Sequence, residues 1–379
     1  MGPVGLARAA MTPPADIPAV RSVTDADSTA FALLTEGDDL YERMSVDIAA
    51  ARRTVRFSSY IWADDEIGTR FVDTLLERHA GGVAVHVAVD AFGSLRWPRH
   101  HGLARLTAGG VRLTIRRQPR WHALRHIHRR DHRKLLVCDE AIAYLGGFNL
   151  HRESSKRLFG PGRWRDTHVR LAGPLAASCA QLFDAMLAHR RVPDVLHADG
   201  LLLWPSARAA CRQRFHCALL GAVAAARRRI WLTTPYFVPD RRLLTALIAA
   251  HHRGVDVRML LPGLSDVPLV RWAAHAQYED LLDGGVQLYE YQPRVLHAKS
   301  GLVDTDWAFV GSANLDLRSF FLNDELTLAV HGTALNAMLA EQFCGDLLDA
   351  LPLQLPHWRR RSRLRRWREQ LAWRLRQWL

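Results

Sequence analysis

Two short frames carry the residues best equipped for chemistry. They read His132-Arg-Lys134-Leu-Leu-Val-Cys-Asp139 and His297-Ala-Lys299-Ser-Gly-Leu-Val-Asp304, both with the spacing H-x-K-x-x-x-x-D. The chain has only 3 lysines against 48 arginines, and 2 of the 3 fill the same slot of this frame. Random placement among the basic positions would do that roughly once in 400 arrangements. A lysine ammonium is a compact point charge, whereas guanidinium is a wide planar fork. A site that sets one cation against one oxyanion beside a histidine selects the former. The third, Lys156, has no counterpart in the second frame's surroundings.

Two such sets suit displacement at a phosphodiester without a metal. One histidine attacks phosphorus and forms a phosphohistidine; the other protonates the leaving alkoxide, then deprotonates the incoming alcohol or water. The lysines would hold the phosphate oxygens, joined by Asn149 and Asn314 in the matched segments Gly146-Gly147-Phe-Asn149 and Gly311-Ser312-Ala-Asn314. Farther along, Trp164-Arg-Asp166 and Asn323-Asp-Glu325 each bring a carboxylate to the start of a strand. A carboxylate accepting from one histidine nitrogen fixes the tautomer and leaves the other nitrogen free to attack.

The elements that must position these groups are themselves duplicated. Phe57-Ser-Ser-Tyr60 matches Leu232-Thr-Thr-Pro-Tyr236, and apolar-periodic helices follow at Arg70–His79 and Arg242–His252, closed by Gly81 and Gly254. Alternating strands come next at Val83–Val89 and Val255–Leu261. The offset between copies is 176 at Tyr60/Tyr236 and 165 at His132/His297, so the first copy holds about ten extra residues, within Arg116–Arg130. Each frame reads as a β-hairpin, with strands 132–138 and 297–303, turns at Asp139 and Asp304, and returns at 141–147 and 307–311. The i, i+2 spacing puts histidine and lysine on one face. Asp139 and Asp304, at the turns, are expected to anchor structure. The pattern predicts an α/β protein of two similar α/β/α halves with mixed sheets, packed face to face around one site. Expected boundaries are a flexible segment 1–30, a first half 31–198, a second half 199–350 and a tail 351–379.

Charge and composition narrow the partners. The net charge of +13 and pI near 10.3 call for a polyanion, either nucleic acid or an anionic membrane surface. Five cysteines (Cys138, Cys179, Cys211, Cys217, Cys344) show no metal-like spacing and read as reduced thiols. His122, His126 and His128 lie in an arginine-dense stretch with only Asp131 nearby, so no metal and no cofactor are expected. No apolar run reaches membrane-spanning length; the best, Cys217–Ala226 and Leu243–Ala250, read as core helices. The N-terminus lacks a secretory pattern, so membrane association is expected to be peripheral. In the tail 357–379, with nine arginines and one glutamate, Leu364, Trp367, Leu371, Leu375 and Trp378 fall on one helical face. That is the pattern of an interfacial anchor on anionic lipid; a helix docked on its own domain and a nucleic-acid contact are the other readings.

The doubled frame resembles the signature of the phospholipase D superfamily. The resemblance runs from about Thr35 to about Leu347 and is strongest to the bacterial cardiolipin synthases that lack N-terminal membrane spans. It rests on SYIWADDEIG (59–68), DHRKLLVCDEAIAYLGGFN (131–149), WRDTHVRLAGP (164–174) and LHAKSGLVDTDWAFVGSANLDLRS (296–319). It implies that His132 is the nucleophile and His297 the general acid and base, and that Asp166 and Glu325 orient them. It counts Lys134, Lys299, Asp139 and Asp304 in the catalytic frames, and adds Ser312 to Asn149 and Asn314 as phosphate contacts. Gly147 stands where the second copy has Ser312, so the halves are not equivalent. The implied activity is phosphatidyl transfer between anionic phospholipids, phosphatidylglycerol with itself, on the inner face of the bacterial cytoplasmic membrane and without nucleic acid. Hydrolysis of phospholipid and a nucleic-acid phosphodiesterase remain the alternatives.

Overall fold

The computed structural model describes residues 30–94, 100–117, 129–188, 190, 196–198, 201–206 and 209–376. The expectations for 1–29, for His122, His126 and His128, and for Trp378 lie outside these residues, as does most of the Arg116–Arg130 insertion.

Each half is built on a mixed sheet, and the two share a six-strand motif. The first runs Ala30–Leu34, His168–Ala172, Ile142–Gly146, Leu135–Cys138, Thr54–Ser59, Ala84–Asp90 and Arg112–Arg116 in spatial order. The second repeats the last six as Glu325–His331, Trp307–Gly311, Ser300–Val303, Arg229–Thr233, Asp256–Pro262 and Gln287–Tyr291. The three strands around each parallel crossover pair in parallel, whereas the hairpins are antiparallel.

Sequence punctuation sets the crossover helices. Asp65 caps Glu66–Ala80 by accepting from the Gly68 amide, and Asp240 caps Arg241–His252 through the Leu243 amide. The left-handed residues that close these turns are Gly82 and Gly254, both at φ +89°, so Gly82, rather than Gly81, is the counterpart of Gly254.

Among the described residues lie three large apolar cores and a small fourth one under the tail. Helices Gly37–Ala50, Glu66–Ala80 and His101–Ala108 cover the outer face of the first sheet. Helices Ala209–Ala225, Arg241–His252 and Pro268–Asp283 cover that of the second. Helices Pro174–Leu187 and Thr333–Leu348 lie between the sheets in one core drawn from both halves. A buried ion pair crosses that core: Arg165 donates to both oxygens of Asp346, at 3.0 and 2.8 Å.

Some boundaries move. Leu196–Ala198 pairs with Leu201–Ser206 on the second sheet, so the second half begins before 199. Ala350–Pro352 pairs antiparallel with Gln287–Tyr291, so the tail starts after that strand. The hairpin strands start at Leu135 and Ser300, one residue past each lysine, which leaves His132 to Lys134 and His297 to Lys299 in irregular extended chain.

The tail is two helices, Leu355–Arg359 and Arg363–Arg374, divided where Ser362 caps the second through the Arg365 amide. The second helix docks on Pro268–Asp283 through Arg365 and Glu369 near its start and through Ala372 and Trp373 near its end. Glu369, the tail's one carboxylate, is 1% exposed. It accepts from Arg361 and Arg365 at 3.1 Å each and lies 3.5 Å from His275. Leu364, Trp367, Leu371 and Leu375 face outward, with Leu364 58% and Trp367 62% exposed. Docking therefore uses the tail's acid and leaves its apolar stripe open.

Candidate active site

The two frames meet because the halves exchange backbone hydrogen bonds at two related points. The His132 amide donates to the Asp324 carbonyl (2.9 Å), and the Asp324 amide donates to the Arg130 carbonyl (2.8 Å). On the other side the His297 amide donates to Arg165 (2.7 Å), and the Arg165 amide to Val295 (2.8 Å). These are isolated parallel β-bridges, Asp131 with Asp324 and Arg165 with Leu296. Each links the residue before a histidine to the residue before the opposite half's carboxylate.

The orienting carboxylates consequently cross over. His132 Nδ1 lies 3.1 Å from Glu325 Oε2, and His297 Nδ1 lies 2.5 Å from Asp166 Oδ2. Both pairs are buried. An Nδ1–H donating to a carboxylate fixes the tautomer in which Nε2 is the free base. The sequence identified both acids; the exchange between halves needed the three-dimensional pairing.

Each lysine folds back on its own histidine. Lys134 Nζ donates to the His132 carbonyl at 2.7 Å; Lys299 Nζ donates to the His297 carbonyl and lies 2.8 Å from His297 Nδ1. Lysine charge is uncomfortable here without a bound anion. Burial, and then the facing Lys299, pull Lys134 down to about 7, and burial lowers Lys299 to about 8 despite Asp166. Burial likewise lowers His132, and burial with Lys299 lowers His297 to about 4, so both imidazoles are neutral near pH 7. Burial opposes ionisation of Asp166 and Glu325, yet Lys299 with His297, and His132 with Lys134, outweigh it and hold both carboxyls below their usual range. The result is a buried centre in which two neutral imidazoles stand between two ionised carboxylates and two lysines.

Ser312 departs from its expected place against phosphate. Its hydroxyl donates to Glu325 Oε2 at 2.5 Å and accepts from the Leu326 amide at 3.0 Å, so it positions the carboxylate behind His132. The Gly147 departure follows from the same geometry: a Cβ there would stand 2.0 Å from Asp166 Oδ1. The first half has the acid where the second has a hydroxyl. Ser319 also donates to Glu325, at 3.0 Å; the repeat could have marked it, since Ser154 stands at the matching position of the first half. Asn149 Oδ1 accepts from the Ile61 amide at 3.1 Å, which fixes its amide orientation; Asn314 is buried at the corresponding point.

Asp139 and Asp304 stand away from this centre. Asp139 accepts from the amides of Arg52, Arg53 and Thr54, and Asp304 from those of Arg227, Arg228 and Arg229. Both sit at left-handed turns, φ 54° and 51°. Of the roles open to them, the catalytic one is therefore corrected to that of turn anchors.

Aromatic rings border the histidines. Tyr60 is edge-on to His132 at 4.7 Å, and Trp164 and Tyr236 lie 5.3 and 6.4 Å from His297. Tyr60 and Tyr236 were legible as a matched pair at offset 176, although not as site residues. Tyr236 donates to Asp266, whose two oxygens are 2.8 and 2.7 Å away.

A duplicated α/β fold whose halves lend each other a carboxylate, around two histidine–lysine pairs, defines a phosphodiester-transfer site. The family model described as cardiolipin synthase, PLD-like domain, matches residues 44–160 and 219–347, and the chain belongs to that family. It is 32% identical over 347 residues to cardiolipin synthase 2 of Bacillus cereus, covering 88% of this chain and 67% of that protein. With cardiolipin synthase A of Pseudomonas entomophila it is 37% identical, over 78% of this chain and 64% of the relative. The chain thus spans about two thirds of the length of these relatives. Phosphatidylserine synthase of Haemophilus influenzae shares the fold, with a TM-score of 0.71 at 13% identity over 91% of this chain and 92% of that one. Polyphosphate kinase of Porphyromonas gingivalis does so at a TM-score of 0.61 and 16% identity, over 86% and 49%.

Proposed function

We propose that the protein transfers a phosphatidyl group from one anionic phospholipid to a hydroxyl of another, converting two phosphatidylglycerol molecules into cardiolipin and glycerol. The observation that carries this reading is the pair of buried histidines, each with Nδ1 on a carboxylate of the opposite half and a lysine folded beside it. His132 Nε2 attacks phosphorus while the bond from phosphorus to the glycerol oxygen breaks. His297 gives its proton to that oxygen. The second phosphatidylglycerol then delivers its hydroxyl proton to His297 as its oxygen displaces His132 from phosphorus. Burial and Lys299 keep His297 neutral; a phosphodiester anion beside it raises its proton affinity, so the acid form accompanies substrate. Lys134 and Lys299 offset charge on the phosphoryl oxygens.

The substrate and the surface agree. Among the described residues no helix is long and apolar enough to cross a membrane. The Arg363–Arg374 helix turns leucine and tryptophan outward between arginines, which suits peripheral attachment to an anionic bilayer, on the inner face of the cytoplasmic membrane. A nucleic-acid phosphodiesterase has no use for that apolar stripe.

Purified protein given labelled phosphatidylglycerol vesicles should yield cardiolipin and free glycerol. Phosphatidic acid as sole product would replace transfer by hydrolysis. His132→Ala and His297→Ala should each lose turnover by at least about 10³-fold, and activity surviving in both refutes the mechanism.

A further inference from the structure

The loop between strand Asp256–Pro262 and helix Pro268–Asp283 is pinned on every side. The Gly263 amide donates to the Tyr291 carbonyl at 2.8 Å, and a Cβ on Gly263 would stand 2.6 Å from that oxygen, so the close approach requires glycine. The Val267 amide donates to Ser265 Oγ at 3.2 Å, and Asp266 holds the Tyr236 hydroxyl through both oxygens. Pro268 then opens the helix.

Large apolar side chains nevertheless stand in solvent on this loop and the start of the helix. Leu264 is 50% and Trp272 39% exposed, and Val267 and Leu269 are exposed with them. Four large apolar side chains exposed between positions 264 and 272 mark a surface that meets something apolar. Its position narrows what that is. Asp266, within the run, contacts Tyr236, whose ring is edge-on to His297, so the run lies on the His297 side of the site.

The tail helix converges on the same place. Arg365 and Glu369 lie against His275, whereas Ala372 and Trp373 pack with Val270, Ala273, Val238 and Tyr236. The helix therefore runs antiparallel along Pro268–Asp283, and its outward stripe ends beside the loop. Exposed Arg363, Arg366, Arg368 and Arg374 lie on that helix, whose one carboxylate is buried in the docking contact. Apolar residues ringed by arginine fit an anionic bilayer better than a protein surface.

We propose that Leu264, Val267, Leu269 and Trp272 form a lip that enters the acyl boundary of the membrane on the His297 side of the site. The tail helix attaches the protein; the lip sets its tilt, so that a phospholipid headgroup passes only the Tyr236–Asp266 contact to reach the histidines. This rests on the reading that the substrate resides in a bilayer.

The test compares two full-length variants, Leu264→Glu/Trp272→Glu and Leu364→Glu/Trp367→Glu, all at exposed positions. Each is measured for sedimentation with phosphatidylglycerol vesicles, for turnover of those vesicles, and for turnover of monomeric dibutyryl phosphatidylglycerol. The lip variant should lose at least about tenfold in vesicle turnover and several-fold in vesicle binding, with turnover of the soluble lipid unchanged. Vesicle binding and turnover within about twofold of the parent would overturn the lip, even if the tail variant detaches. Should the parent turn over neither lipid, the transferase reading fails, and sedimentation of the lip variant still decides the lip.

Discussion

Lys134 and Lys299 are buried, lie within Coulomb reach of each other, and hold their protons poorly. Lys134 titrates near 7 in the folded site against 10.5 unperturbed, so between those values the unfolded chain binds more protons and stability of the ligand-free protein rises with pH. Below 7 the penalty of the buried charge is fully in force. Lys134→Met should therefore raise Tm at pH 6 by a few degrees, with the gain shrinking toward pH 10, while turnover falls by at least about 10²-fold. Differential scanning fluorimetry at the two pH values checks the sign. The same titration predicts that kcat/KM declines from about pH 7 to 8 upward as the lysines lose charge. The limb in kcat should lie higher, because bound phosphodiester stabilises the ammonium groups. The scarcity of lysine made both residues legible in the sequence. Their strain was not, because it comes from burial and from a neighbour 165 positions away.

Among elements, the hairpins divide the labour of the frame. Histidine and lysine occupy the irregular chain before each strand, and the aspartate at the far turn clamps the segment leading into the neighbouring strand. Asp139→Ala removes the acceptor for three amides and should cost about 2–3 kcal/mol of stability. Turnover per folded molecule should stay within a few-fold of the parent and its pH profile should be unmoved; denaturant unfolding beside active-site titration separates the two effects. The duplicated strand and helix order was readable because period and punctuation are local properties. Where 132–134 and 297–299 leave the sheet was not, since those residues are held by the other half. The tail read as a single amphipathic helix, yet Ser362 divides it, and its docking runs through Glu369, an acid that the apolar periodicity hides.

At the scale of the whole molecule, two sheets are joined by a shared helical layer, two crossed β-bridges and the Arg165–Asp346 pair. Arg165→Leu strands a buried carboxylate and should destabilise by about 3–5 kcal/mol, with loss of activity following loss of fold in thermal and denaturant melts. Neither half, produced alone, should turn over phospholipid, since each holds a histidine without its acid. The face-to-face halves followed from the repeat, but the sequence could not assign a carboxylate to its histidine.

The crossed bridges have a consequence for the time before the protein is complete. Synthesis delivers His132 nearly two hundred residues before Glu325, so a nascent or truncated chain carries His132 with neither its tautomer fixed nor its partner acid in place. Transfer activity should therefore appear only once the strand that carries Glu325 has folded, and fragments ending before it should be inactive.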